Sequence, residues 1–284
     1  MSRRLASFFD GRPRLQVGAL LAGPLGWLAI GYLGSLAILL IAAFWSVDPL
    51  SGEVVQGFSL ENIEVLFDEP VYRSIVGRTV AIAALVTLTD ALLAFPIAFY
   101  MAKLASRRGK ALLLVAVLVP LWSSYLVKVL SWRTMLSSDG VIDWVLQPFG
   151  LHGPGYGNVA VWLVMSYLWL PYMVLPIYAG LERIPNSLIS ASEDLGAAPF
   201  TTFRRVILPL SFPAVVAGSI FTFSLTLGDY ITPRLVSNNQ FIGNVIFNNI
   251  SNNLPLASAL ALVPIVVMVA YLLVARKLGA FEHV

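Results

Sequence analysis

Long apolar runs alternate with short polar breaks along the chain. Six runs stand out, at residues 20–45, 75–102, 111–132, 159–180, 211–232 and 256–275. Each has about the 20 residues an α-helix needs to cross the hydrocarbon of a bilayer. No Asp, Glu, Lys or Arg occurs between Arg14 and Asp48. That stretch exceeds the roughly 7 to 15 apolar residues of a signal-peptide core, so 20–45 reads as a retained first span. Pro96 predicts a kink in the second span. The breaks at 48–78, 133–158 and 233–255 are polar and rich in Gly, Pro and Asn. The expected fold is all-α: one integral membrane domain over 1–284 with six transmembrane helices.

Composition agrees with that pattern. Hydrophobic residues make up 58% of the chain and charged residues 12%, against roughly 25% charged in soluble domains. With no Cys and two His, thiol redox chemistry, disulfides and Cys-type metal sites are excluded. The formal charge of +3 matters less than its distribution. With the N-terminus inside, the internal segments hold four (Arg3, Arg4, Arg12, Arg14), four (Lys103, Arg107, Arg108, Lys110), three (Arg183, Arg204, Arg205) and two (Arg276, Lys277) basic residues. Arg73, Arg78, Lys128, Arg133 and Arg234 are left outside. Positive charge favours the cytoplasmic side, so both termini and the loop at about 181–210 are expected there.

That loop carries SASEDLGAAPFTTFRRVILP, Ser190 to Pro209. Asn186 fits an N-cap, Ser187 to Leu195 a short helix, and Gly196 the position after it where φ is often positive. Pro199 fits the first position of a second helix. Phe200, Phe203, Val206 and Ile207 follow helical spacing beside Arg204 and Arg205. Two short helices with too few apolar side chains for a core of their own suit docking.

These residues resemble the inner-membrane permeases of ABC importers. The signature of that family is EAA, three residues, Gly, nine residues, then I-x-L-P. Ser190, Ala191 and Ser192 hold the EAA positions, Gly196 follows, and Val206, Ile207, Leu208 and Pro209 complete the spacing. Ser190, Ser192 and Val206 depart in identity, while Glu193 and Asp194 stand one turn beyond the missing Glu. The resemblance implies the type I importer permease fold. It also implies an ATPase gripping this loop through Ser190, Ala191, Glu193, Asp194, Gly196, Phe200, Phe203, Arg204 and Pro209, with the two phenylalanines filling motor pockets; packing of Phe200 and Phe203 against the chain's own spans is the alternative.

The chain has no phosphate-cradling G-x-x-x-x-G-K-[ST] loop, because Gly109-Lys110 is followed by Ala111 and position 104 is Leu. No nucleophile–base set or His pair at metal spacing occurs; His152 and His283 read as an outer-loop and a tail residue. The chain is therefore not expected to be an enzyme. It needs no cofactor of its own, and ATP and Mg would be bound by the partner ATPase.

Two carboxylates stand out. Asp90 lies mid-span, where an ionised side chain costs at least ~2.5 kcal/mol unless it meets a partner or a wet cavity. Thr87 and Ala94 share its face, and solute coordination and an interhelical bond both remain open. Asp229 sits in LGDYITP, where Gly228 and Pro233 suggest a broken helix that aims Asp229 and Tyr230 at a path. An interface residue that caps the break or pairs with Arg234 is the alternative.

GDYITP, PLWSSYLVKVLSWRTML from Pro120 and LPYMVLPIYAGLERIP from Leu170 are similar to the spermidine/putrescine (PotB-type) branch of these permeases. That likeness implies a solute path including Asp90, Asp229, Tyr230, Trp122, Tyr125 and Tyr167. Trp132 and Trp169 are further aromatic candidates for cation–π contact, and an interfacial aromatic belt is the competing reading. The implied partners are a second permease subunit forming a heterodimer, two ATP-binding subunits and an extracytoplasmic binding protein, at a bacterial inner membrane. The same importer class with another small solute remains open. So does an ATP-independent secondary transporter using Asp90 as an ion site.

Overall fold

The apolar runs become helices because lipid offers the backbone no other partner. The computed structural model describes residues 13–277. The arginines at 3, 4 and 12 and His283 lie outside the described residues. The first span comprises α1 (Pro13–Trp27), a π-helical turn (Leu28–Leu33) and α2 (Gly34–Ala42). A two-stranded hairpin follows, β1 (Ser46–Val47) with β2 (Val54–Val55), antiparallel with Ser46 opposite Val55. Asp48 closes its turn by accepting the N–H groups of Leu50 and Ser51. Those backbone bonds, Ser51's first, hold its carboxyl below the usual range. Then come α3 (Glu61–Asp68), α4 (Pro70–Phe99) with a π turn at Tyr100–Leu104, α5 (Arg107–Trp122), α6 (Tyr125–Leu136) and α7 (Val141–Leu146). The chain continues as α8 (Asn158–Arg183), α9 (Asn186–Asp194), α10 (Pro199–Thr202), a π turn at Phe203–Ile207 and α11 (Leu208–Gly228). It ends with α12 (Ile231–Val236), α13 (Ile242–Asn249) and α14 (Leu254–Lys277).

Among the described residues, five helices are long and apolar enough to span a membrane. A sixth span exists only if α5 and α6 count together, because they meet at 92°. The third span expected at 111–132 is thus bent between α5 and α6. Ser123 and Ser124 leave the helix with ψ near 149° and 131°. The freed carbonyl of Pro120 accepts the Ser123 hydroxyl at 2.9 Å and Lys128 Nζ at 3.0 Å. Those two donors satisfy a helix end that would otherwise leave a carbonyl bare.

Helices α4, α8 and α11 form the centre. They approach closely because small residues face each other: a Cβ on Gly180 would fall on that of Ala214, and one on Gly218 would lie 2.7 Å from Met173 Sδ. Close backbone approach through small residues is the usual means of helix association in lipid. One end of this trio buries Val86, Val129, Val164 and Phe241. The other buries Ala98, Met101, Ile177 and Ile207.

Candidate functional site

At 21 residues, α11 is roughly 30 Å long at 1.5 Å per residue. Its two ends carry the two candidate sites. At the C-terminal end the helix stops at Gly228, and Asp229 turns extended with ψ 121°. Its carboxylate caps the short helix α12: Oδ1 accepts the N–H groups of Ile231 at 2.9 Å and Thr232 at 3.2 Å. Oδ2 accepts the hydroxyls of Tyr125 at 2.5 Å and Thr232 at 2.7 Å. Four donors fill the roughly four acceptor sites a carboxylate offers. Of the alternatives, capping is what the carboxylate does here, and Arg234 is not among its partners, since its guanidinium lies 5.3 Å over the Phe247 ring.

Tyr125, Trp169, Ser224, Gly228, Asp229 and Tyr230 share one shallow, open cleft of about 390 Å³. Each ring is held from a different element. The bend after α5 delivers Tyr125 as the first residue of α6, and its ring stacks on Trp169 of α8 at 5.9 Å. Tyr230 stacks on Phe247 at 4.6 Å, while Asn244 Nδ2 donates to its carbonyl at 2.7 Å. Gly243 lets α13 come close, since a Cβ there would lie 2.9 Å from the Asp229 carbonyl oxygen. The Trp169 indole nitrogen is buried without an acceptor among the described residues.

The other path candidates lie elsewhere. Asp90 is fully buried in α4, and neither carboxylate oxygen has a hydrogen-bond partner among the described residues. Asp90 therefore does not line the cleft formed by this chain. Tight packing of α4 against α8 and α11 closes it off from the cleft. Trp122 is 85% exposed at the end of α5, and Tyr167 packs on Trp132 at 5.5 Å, so neither lines the cleft. Ser224 was not expected in the cleft, nor the buried Thr232 as a partner of Asp229. Thr232 follows Asp229 at the three-residue spacing of a helix cap, a readable signal, whereas Ser224 gives none in an apolar helix.

At the opposite end of α11, Gly196 separates α9 from α10 with φ +76°. Its N–H donates to Glu193 O at 2.8 Å and the N–H of Ala197 to Ser192 O at 3.1 Å. Pro199 opens α10 at its first position. Ser192, one of the departures from the EAA signature, bonds the buried Thr202 hydroxyl at 2.9 Å and so ties the two short helices together. Leu195 and Phe200 are 89% and 71% exposed, and Ser190, Ala191, Glu193, Asp194, Arg204 and Pro209 are exposed as well. Phe203 is half-buried against Phe95 of α4, ring edge to face at 5.6 Å, as the alternative of packing on the chain's own spans has it, and Phe200 is the exposed ring. Asn186 is the first helical residue rather than the cap, because Pro185 holds the cap position.

The family described as binding-protein-dependent transport system inner membrane component matches residues 72–280. The inner membrane ABC transporter permease protein YdcU of Escherichia coli (strain K12) is 44% identical over 297 residues, covering 98% of this chain and 95% of that protein. The spermidine/putrescine transport system permease protein PotB of the same strain is 30% identical over 258 residues, covering 88% and 92%. A bacterial alginate ABC transporter, solved in complex with an alginate-pentasaccharide-bound periplasmic protein, has the same fold. It aligns with a TM-score of 0.74 at 16% identity over 95% of this chain and 96% of that one. With a family match over most of the sequence and a relative 44% identical along 98% of it, on a fold of five or six apolar spans, the chain belongs to the inner-membrane permease components of ABC importers.

Proposed function

We propose that this chain is one membrane half of an ATP-driven importer for polyamines such as putrescine and spermidine, with the Asp229 cleft receiving an ammonium group. The observation that carries this reading is one carboxylate sharing a cleft with three aromatic rings, Tyr125, Trp169 and Tyr230. A cation over a ring face gains about 0.5 to 2 kcal/mol per ring. Because Asp229 already accepts four donors, an ammonium first meets ring faces and the field of the carboxylate. It reaches an oxygen only by displacing a hydroxyl. The PotB relatives at 30–31% identity support the solute class by their names, while the name of YdcU specifies no solute.

In this reading the 181–210 loop docks an ATPase subunit, with Phe200 and Leu195 as anchors and Glu193, Asp194 and Arg204 around them. Two such subunits hold ATP and Mg, a second permease subunit completes a heterodimer around the path, and an extracytoplasmic binding protein delivers solute. The loop and both termini are cytoplasmic, following the distribution of Lys and Arg.

Uptake of labelled putrescine into proteoliposomes, with and without the ATPase subunits, tests the whole. Uptake that needs the ATPase supports the importer; uptake without it supports a secondary transporter. Gly196→Val tests the loop. A β-branched residue in the left-handed region costs on the order of 1–3 kcal/mol, which the two-helix turn relieves by opening. The expected outcome is normal membrane insertion with at least a tenfold loss of ATPase co-purification. Full co-purification removes the loop from docking.

A further inference from the structure

The short connection between α4 and α5 is tied to the root of the Ser190–Pro209 loop by two lysines. Lys103, in the π turn that ends α4, donates its ammonium to Ile184 O at 2.6 Å and to Asn186 Oδ1 at 3.2 Å. Ile184 closes α8 and Asn186 opens α9, so this one side chain bridges the extended Ile184–Pro185 step where the short helices leave the span. Lys110, in the first turn of α5, pairs with Glu182 Oε1 at 2.7 Å and lies 5.7 Å over the Tyr178 ring. Both contacts cross more than 70 residues of sequence.

From Lys110 the helix α5 runs to the bend at Ser123–Ser124. The residue beyond it, Tyr125, donates to Asp229. From the far side of the loop, α10 continues through the Phe203–Ile207 turn into α11 and ends at the same Asp229. Two long elements therefore start from two tied connections and meet again at one hydrogen bond. The lysines join them at the near end, and the Tyr125–Asp229 bond joins them at the far end.

We infer that Lys103 and Lys110 are positioning residues for transport: they make the bent α5–α6 element move with the docking loop, so that a shift of the loop changes the Tyr125–Asp229 contact in the cleft. This rests on the loop being the docking site. A partly exposed ion pair such as Lys110–Glu182 contributes little to stability, so its value lies in holding register between two rigid helices. Without the ties, a push on α9 would be absorbed at the Ile184–Pro185 step, and only α11 would carry it.

The test uses the permease pair reconstituted with its ATPase subunits and binding protein, and reads three quantities: ATPase co-purification, basal ATP hydrolysis, and putrescine-stimulated hydrolysis with uptake. For Lys103→Met with Lys110→Met, co-purification and basal hydrolysis are expected within twofold of wild type, while stimulation and uptake fall at least tenfold. Lys103→Arg, which can still donate to the Ile184 carbonyl, restores at least half of the signal. Lys103→Met combined with Tyr125→Phe loses no more than the worse single change, because both cut one frame. Wild-type stimulation in the double-Met chain overturns the inference, as do losses that multiply in the combined variant. Lost co-purification also overturns it, since the lysines would then only shape the docking surface. If the double-Met chain fails to insert, Glu182→Gln decides by the same readouts. Failure of wild-type ATPase to co-purify is a separate result and counts against the docking reading itself.

Discussion

Asp229→Ala is expected to abolish putrescine-stimulated ATP hydrolysis by the assembled importer and to loosen the cleft end of α11. The change removes the acceptor of two backbone N–H groups and two hydroxyls at once. A buried donor without an acceptor costs about 1–3 kcal/mol. The Tyr125 and Thr232 hydroxyls lie 2.7 Å apart and can turn to each other, so the net cost falls well below four such penalties. Asp229→Asn separates scaffold from charge. Its amide oxygen still caps α12, a role Asn fills well, but the negative charge that attracts an ammonium is gone. The Asn chain is expected at wild-type levels in the membrane, with stimulation down at least tenfold, or about 1.4 kcal/mol. Stimulation unchanged in both variants would take Asp229 out of the solute site.

The second large effect is structural. Gly180→Leu is expected to deplete the folded protein, because even a Cβ at this position falls on that of Ala214. The nearest atoms belong to the body of α11 rather than to the end of a flexible side chain, so α8 and α11 have to separate. Overpacking of this kind costs typically about 1–3 kcal/mol, or roughly 3–10 °C in Tm for a chain of this size. Gly77 is the matched control: a Cβ there would meet nothing within 4 Å, and Gly77→Ala is expected to change nothing measurable. Thermal unfolding of the detergent-solubilised chain followed by tryptophan fluorescence checks both. Equal Tm values for Gly180→Leu and wild type would contradict the close approach of α8 and α11.

Hydropathy made the spans legible because backbone satisfaction in lipid allows an apolar run of this length little besides a helix. Gly196 and Pro199 were legible for local reasons: a left-handed position and a first helical position each favour one residue type. The break at Ser123–Ser124 was not, since Pro120 sits three residues before it inside a helix and the donors that make the break tolerable include Lys128, one turn beyond. Nor was the closure of Asp90. In a membrane protein lipid-facing and core-facing side chains are alike in polarity, so helical periodicity does not say which face of α4 meets α8. Asp229 could be placed at a helix break from Gly228 and Pro233, but its bond to Tyr125 joins residues 104 apart. Only the folded chain brings that pair together. The same holds for Lys103, which reads as one member of a basic loop until its contact with Ile184 is seen.

The most direct measurement is ATP hydrolysis by the permease complex reconstituted with its ATPase subunits and binding protein, titrated with putrescine, spermidine, and a set of neutral and anionic solutes. The account predicts stimulation by the polyamines that is weakened by Asp229→Asn and absent with the other solutes. Stimulation by a neutral or anionic solute alone, unaffected by Asp229→Asn, would leave the chain an importer permease and contradict the cation cleft.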